Sequence, residues 1–252
     1  MNIKIPLFIF LKGWLGSLIT IHNESLINHV SKPIQIIEDL IISPPNDFKI
    51  NKINIYNTNI PEGSGFAYQN GTIFLSNQNN NNYFVLNTKQ GLINISNNEI
   101  ILIHELFHIL GIGISNKWYQ NLRYNNNYLF YIGKNGLNNY KNMLKNNFFV
   151  NTSNILGIPI ENVGMLNDGT FAAHLKEGFY TNPKLYFDYV YDTNNVSYPI
   201  LPREIMTGYL NMGENFISNI TLGILEDLGY FVNYSSIYNY NSINENYFIF
   251  NV

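Results

Sequence analysis

Apolar residues recur at two different spacings along this chain. Between 24 and 42, Leu26, Ile27, Val30, Ile34, Ile37 and Leu40 fall at three- and four-residue intervals, the mark of one buried helix face. A break or kink is expected at Pro33, whose ring removes a backbone donor, and Ser43-Pro44-Pro45 ends the helix. Residues 49–58 alternate instead, with Ile50, Ile53 and Ile55, and predict a strand. Short strands are also expected at 2–11, 72–76 and 83–86, with a loop at 61–65 and an Asn-rich surface turn at 77–82.

The next periodic stretch is apolar almost all round. Ile100, Ile101, Leu102, Ile103, Leu106, Phe107, Ile109 and Leu110 predict a buried helix. Asn97 or Asn98 can cap it, Glu99 complements its dipole, and Gly111 stops it. Beyond it the pattern weakens. Residues 113–135 are aromatic and Asn-rich with no clear period, 137–149 predict a helix, and 151–169 read as loop. Pro199 and Pro202 flank a turn before Glu204-Ile205-Met206-Thr207-Gly208. Ser218 caps a last helix that runs through Leu228 and ends at Gly229, and the aromatic tail 230–252 is expected to pack as an irregular or extended segment. Strands and helices mix in the first half and a looser second half follows, an α+β arrangement without repeats or a clear linker.

Composition narrows the function classes. At 252 residues the chain suits one large domain or two tightly joined lobes. Only 12% of residues are charged, the formal net charge is −3, and no basic stripe is present, so nucleic acid is not an expected partner. The absence of cysteine excludes disulfides and favours a cytoplasmic or other reducing compartment, with secretion as the alternative. The apolar run at 5–11 contains Pro6, is interrupted by Lys12, and lacks a small-residue cleavage site, so a buried strand is expected there rather than a signal peptide. No segment has the ~20 apolar residues of a transmembrane helix. The abundance of Asn makes Asn-x-Ser/Thr triplets such as Asn23-Glu24-Ser25 uninformative.

Within the buried helix lies His104-Glu105-Leu106-Phe107-His108. Residues i and i+4 share a helix face, so both imidazoles can reach one metal ion. Glu105 projects about 100° from His104 and can meet a water on that ion instead. Zinc lowers the pKa of such a water towards neutrality, and a carboxylate takes its proton as it attacks a carbonyl. With five His among 252 residues the pattern rarely arises by chance. The plainer reading is a pair of core histidines hydrogen-bonded to backbone, and it leaves the cost of burying them with a carboxylate unexplained.

A catalytic zinc ordinarily takes three protein ligands. His22 and His29 read as surface or capping residues, which leaves His174 or a carboxylate among Glu161, Glu177 and Glu204. The stretch from His104 to Gly111 resembles the start of the metzincin motif HExxHxxGxxH, but the place of its last His is taken by Ile114. In the leishmanolysin branch a long insertion separates the glycine from the third His, and here His174 follows Gly111 by 63 positions. Ile160-Glu161-Asn162-Val163-Gly164 and the stretch from 169 to 177 are similar to the segment bearing that His, although Leu175 stands where Trp is usual. The stretch from Glu204 to Leu210 resembles the Met-turn, and 222–234 the helix after it.

The resemblance, spanning about 32–234 with gaps, implies a metzincin-like catalytic domain over 1–252. Its upper lobe, 1–112, would carry a twisted mixed sheet and two helices. Its lower lobe, 113–252, would be mostly irregular with a C-terminal helix and would supply the third ligand. It implies one catalytic zinc ion on His104, His108 and His174, Glu105 as general base, Met206 as an apolar floor, and a protein or peptide substrate. Leishmanolysin's disulfides do not carry over, and a bare catalytic domain without pro-segment or lipid anchor is expected. The segment 113–154 is expected to shape the cleft. The alternatives are a catalytically silent binding protein on a metalloprotease scaffold and a zinc hydrolase of a non-peptide substrate.

Overall fold

The computed structural model describes residues 13–61, 64–77, 83–88, 91–125, 127–148, 152–162, 171–176, 189–191, 194, 197–199, 201, 203–210 and 214–236. The strand expected at 2–11, most of the Asn-rich turn, Glu177, Pro202 and the tail beyond 236 lie outside these residues. β1 (Ile19–Ile21) leads through a 3-10 turn at Glu24–Leu26 into α1 (Ile27–Leu40). Val30, Pro33, Ile34, Ile37 and Leu40 are buried along one face of α1, which packs against the HExxH helix. The helix runs through Pro33 without a break, and the proline ring joins the buried face. At Ile41 the backbone becomes extended, giving β2 (Ile41–Ser43).

β3 (Ile53–Thr58), β4 (Gly65–Tyr68) and β5 (Thr72–Ser76) complete a mixed sheet in the order β1-β3-β5-β4. β1, β3 and β5 run parallel, and β4 returns antiparallel along β5. Ile53 and Ile55 of β3 and Ile73 and Leu75 of β5 are all fully buried, the inward face expected from period-two alternation. β4 falls partly in the expected loop. Its signal was Asn70-Gly71, a turn dipeptide whose glycine sits at φ +85°.

β6 (Tyr83–Thr88) and β7 (Gly91–Ser96) form a hairpin that ends at the HExxH helix, α2 (Asn97–Ile109). The cap is Ser96, not Asn97 or Asn98. Its Oγ accepts from the Glu99 amide while the Glu99 carboxylate accepts from the Ser96 amide at 2.8 Å, a reciprocal capping box. All thirteen residues of α2 are buried.

The second half is more regular than its sequence suggests. α3 (Asn116–Gln120), β8 (Leu122–Asn125) and β9 (Tyr128–Tyr131) occupy the stretch without apparent period. Asn125 pairs with Tyr128 at the end of the hairpin, and Asn127 sits in the left-handed region at φ 62°. Asn is a proper residue for such a turn, but in an Asn-rich chain it does not stand out. α4 (Lys134–Phe148) follows, and β10 (Ile158–Ile160) adds to β9 where loop was expected. β11 (Tyr189–Tyr191) pairs with β12 (Ser197–Pro199).

β13 (Glu214–Phe216) runs parallel to β6, the first strand of the hairpin that leads into the HExxH helix, and Asn87 donates to Glu214 at 2.8 Å across that pair. α5 (Asn219–Asp227) is capped by the Ser218 side chain, as expected, and packs on α4. Its Asp227 carboxylate accepts the Asn135 and Gly136 amides at 2.8 and 3.0 Å, closing the open end of α4. β14 (Phe231–Val232) pairs with β2. The whole is α+β, and among the described residues no helix is long and apolar enough to cross a membrane.

Ser96→Ala removes the capping box and is expected to lower unfolding stability by about 1 kcal/mol. Chemical denaturation reads this directly, and an unchanged midpoint would show that the cap contributes nothing.

Candidate metal centre

α2 places His104 and His108 one turn apart, and their Nε2 atoms lie 3.0 Å from each other. The His174 Nε2 comes to 3.1 Å from that of His104 and 3.0 Å from that of His108. His174 lies on a short extended segment held by backbone on both sides. The Glu161 amide donates to the His174 carbonyl at 2.9 Å, and the Leu175 amide donates to the Met206 carbonyl at 2.9 Å. The third imidazole thus hangs between β10 and the Met206 turn.

The other ring nitrogens decide the protonation. His104 Nδ1 lies 2.6 Å from the Ile205 carbonyl and His108 Nδ1 lies 2.8 Å from the Ile112 carbonyl. A carbonyl only accepts, so both Nδ1 atoms carry the proton and both Nε2 atoms present lone pairs. Gly111, at φ +111°, turns the chain after α2 so that the Ile112 carbonyl returns to His108. Desolvation lowers the pKa of His104 to about 4 against the opposing bond to Ile205. Desolvation, and then the neighbouring histidines, hold His108 well below its ordinary value. Protonation therefore does not relieve the facing lone pairs near neutral pH.

The buried triad of His104, His108 and His174 is able to hold a metal ion. Donors on a tetrahedral ion with bonds of about 2.0–2.1 Å sit about 3.3 Å apart, close to the spacing here. Backbone carbonyls on two of the Nδ1 atoms are the outer support that metal-binding histidines ordinarily have. The plainer reading of two core histidines bonded to backbone accounts for these Nδ1 contacts and leaves the converging Nε2 atoms unexplained.

Glu105 is buried, and its Oε2 has no hydrogen-bond partner. Desolvation pushes its pKa up to about 8. Gly65 of β4 lies against it, and a Cβ there would stand 2.5 Å from Ile101 Cγ2 and 3.0 Å from Glu105 Oε1. Only glycine lets the edge strand approach this closely.

The carboxylates considered as third ligands separate from the cluster. Glu161 pairs with Lys176 at 3.4 Å, and Glu204 accepts from Ser218 and Thr221 on α5. Glu177 is outside the described residues. Met206 is fully buried beside Ile205, whose carbonyl receives His104. His22 stacks on Tyr56, and His29 bonds the capping Ser96 at 3.1 Å. Sequence reasoning did not find Ile112, Ile205 or Gly65. The first two act through main-chain carbonyls, which leave no side-chain signature.

A scan of protein-family models finds no match to this chain, and neither the curated proteins nor the solved structures include a match.

Glu204 is fully buried, with Oε2 unpartnered. Desolvation raises its pKa from 4.5 to about 7 against the donors Thr221 and Ser218. A raised acid favours the fold while protonated, so its contribution is complete below about pH 4.5 and is lost as pH rises through about 7. Glu204→Gln is expected to flatten the fall in stability across that window by up to about 3 kcal/mol. Parallel stability–pH curves for variant and wild type would contradict this.

Proposed function

We propose that this protein is a zinc endopeptidase of the metzincin type, similar to the leishmanolysins. The observation that carries the reading is the convergence of three buried imidazole Nε2 atoms beside a buried carboxylate with an unpartnered oxygen. His104, His108 and His174 would hold the ion, and a divalent zinc there supplies Lewis acidity towards a scissile carbonyl and a water.

Glu105 acts as general base and then general acid. Its carboxylate takes a proton from the attacking water and passes it to the leaving amine. Burial alone would keep this carboxyl protonated near neutrality, and a divalent ion held by the adjacent histidines would oppose that shift. Ile205 and Ile112 fix the two helix imidazoles in the tautomer that offers Nε2. Met206 contributes bulk and an apolar surrounding to the turn that carries Ile205.

A peptide substrate is favoured over a non-peptide one by β4. It is the last strand of its sheet and lies against Glu105 through Gly65. Among the described residues no strand pairs with its outer edge, which would offer backbone donors and acceptors to an extended chain.

Glu105→Gln is expected to retain zinc and lose about 10²–10⁴-fold in turnover of an unfolded protein substrate. A variant with near-normal rate would remove Glu105 from the chemistry. If neither protein cuts while both hold zinc, product analysis on non-peptide esters and amides becomes the deciding assay. His174→Ala is expected to bind zinc far more weakly in chelator competition, and unchanged affinity would exclude His174 as a ligand.

A further inference from the structure

The third histidine reaches the site from a distant part of the chain, and the segment bearing it has an unusual backbone. Ala172, two residues before His174, sits in the left-handed region at φ 60°. A residue with a Cβ adopts that conformation only where its surroundings hold it there. Both main-chain polar groups of Ala172 are engaged. Its amide donates to the Glu161 carbonyl at 2.8 Å, and its carbonyl accepts the indole N–H of Trp118 at 2.8 Å.

Trp118 is built into that place. It lies on α3, is fully buried, and its amide is bonded by the Ser115 side chain. Its ring stacks on Tyr131 at 4.9 Å, and the Tyr131 hydroxyl donates to Asp227, the carboxylate that closes α4. The indole therefore cannot swing without disturbing a packed, hydrogen-bonded row. On the other side of the same loop Gly113, at φ +80°, leaves space for Ala173, because a Cβ there would stand 2.4 Å from the Ala173 carbonyl oxygen.

We propose that Trp118 is a positioning residue for the metal centre. Its indole N–H holds the left-handed turn at Ala172 and thereby presets His174 against His104 and His108. The inference rests on the metal-binding reading of the triad and adds a residue outside the metzincin-like motif blocks. It gives the segment 113–154 a specific task, because that segment carries the donor.

The chain contains a matched control. Its two tryptophans both donate to a backbone carbonyl, and Trp14 does so to Ile41 at 3.3 Å without any bond to the site residues. Zn²⁺ affinity by chelator competition and the visible spectrum of the Co²⁺-loaded protein are measured for wild type, Trp118→Phe and Trp14→Phe. Trp118→Phe is expected to bind Zn²⁺ about 10–100-fold more weakly, as loss of outer support does elsewhere, and to shift the Co²⁺ bands. Trp14→Phe is expected to lose stability with affinity and spectrum unchanged. Equal affinity and spectrum in wild type and Trp118→Phe would overturn the positioning role while leaving the metal centre intact. Equal losses in both variants would make it a general stability effect and overturn it too. A wild type that binds neither ion would overturn the metal reading and this inference together. If Trp118→Phe does not fold, benzothienylalanine incorporated into Trp14→Phe protein removes only the N–H, and the same two readouts decide.

Discussion

Three buried imidazole Nε2 atoms meet within 3.1 Å of one another, and much of the architecture holds them there. His104 and His108, whose Nδ1 atoms donate to the Ile205 and Ile112 carbonyls, have no proton to place between their Nε2 atoms 3.0 Å apart. A cation held by the triad would relieve the repulsion between their lone pairs. Burial makes that demand sharper, since the same low dielectric that depresses the histidine pKa values strengthens every charge–dipole interaction in the site.

The ligands come from places far apart in sequence, so the fold must bring rigid elements together around them. α2 is buried along its whole length and anchored by the capping box at Ser96. The Met206 turn is fixed to α5 by Glu204, and through Ile205 it orients His104. The segment of His174 is clamped between β10 and that turn. Parallel pairing of β13 with β6 then joins the segment after the Met206 turn to the hairpin that leads into α2. Each support is a backbone or buried hydrogen bond, the kind that costs most to leave unmade.

Two buried carboxylates show how environment assigns role. Glu105 and Glu204 are both desolvated and both raised, yet their neighbours differ. Glu204 receives donors from Ser218 and Thr221 and stitches two elements together. Glu105 has an oxygen without a partner and an edge strand brought close by Gly65, which leaves it available for a proton. Both keep an unpartnered Oε2, so what separates them is the set of donors that tie Glu204 to the start of α5 and the place of Glu105 next to His104.

The sequence by itself determined the parts whose cause is local. Apolar spacing set α1, α2 and α5, alternation set β3, and the i, i+4 interval put His104 and His108 on one face with Glu105 turned aside. It left the third ligand open among His174, Glu161, Glu177 and Glu204 on residue chemistry alone, and only the resemblance to leishmanolysins singled out His174. Tertiary structure decided that His174 meets the other two, that Ser96 rather than Asn97 or Asn98 caps α2, and that 113–135 folds into a helix and a hairpin. It also decided the main-chain supports at Ile112, Ile205 and Ala172. Periodicity records which face of an element is buried. Meetings between distant segments, and bonds made by carbonyls that every residue possesses, depend on packing across the chain and leave no residue-type signature in it.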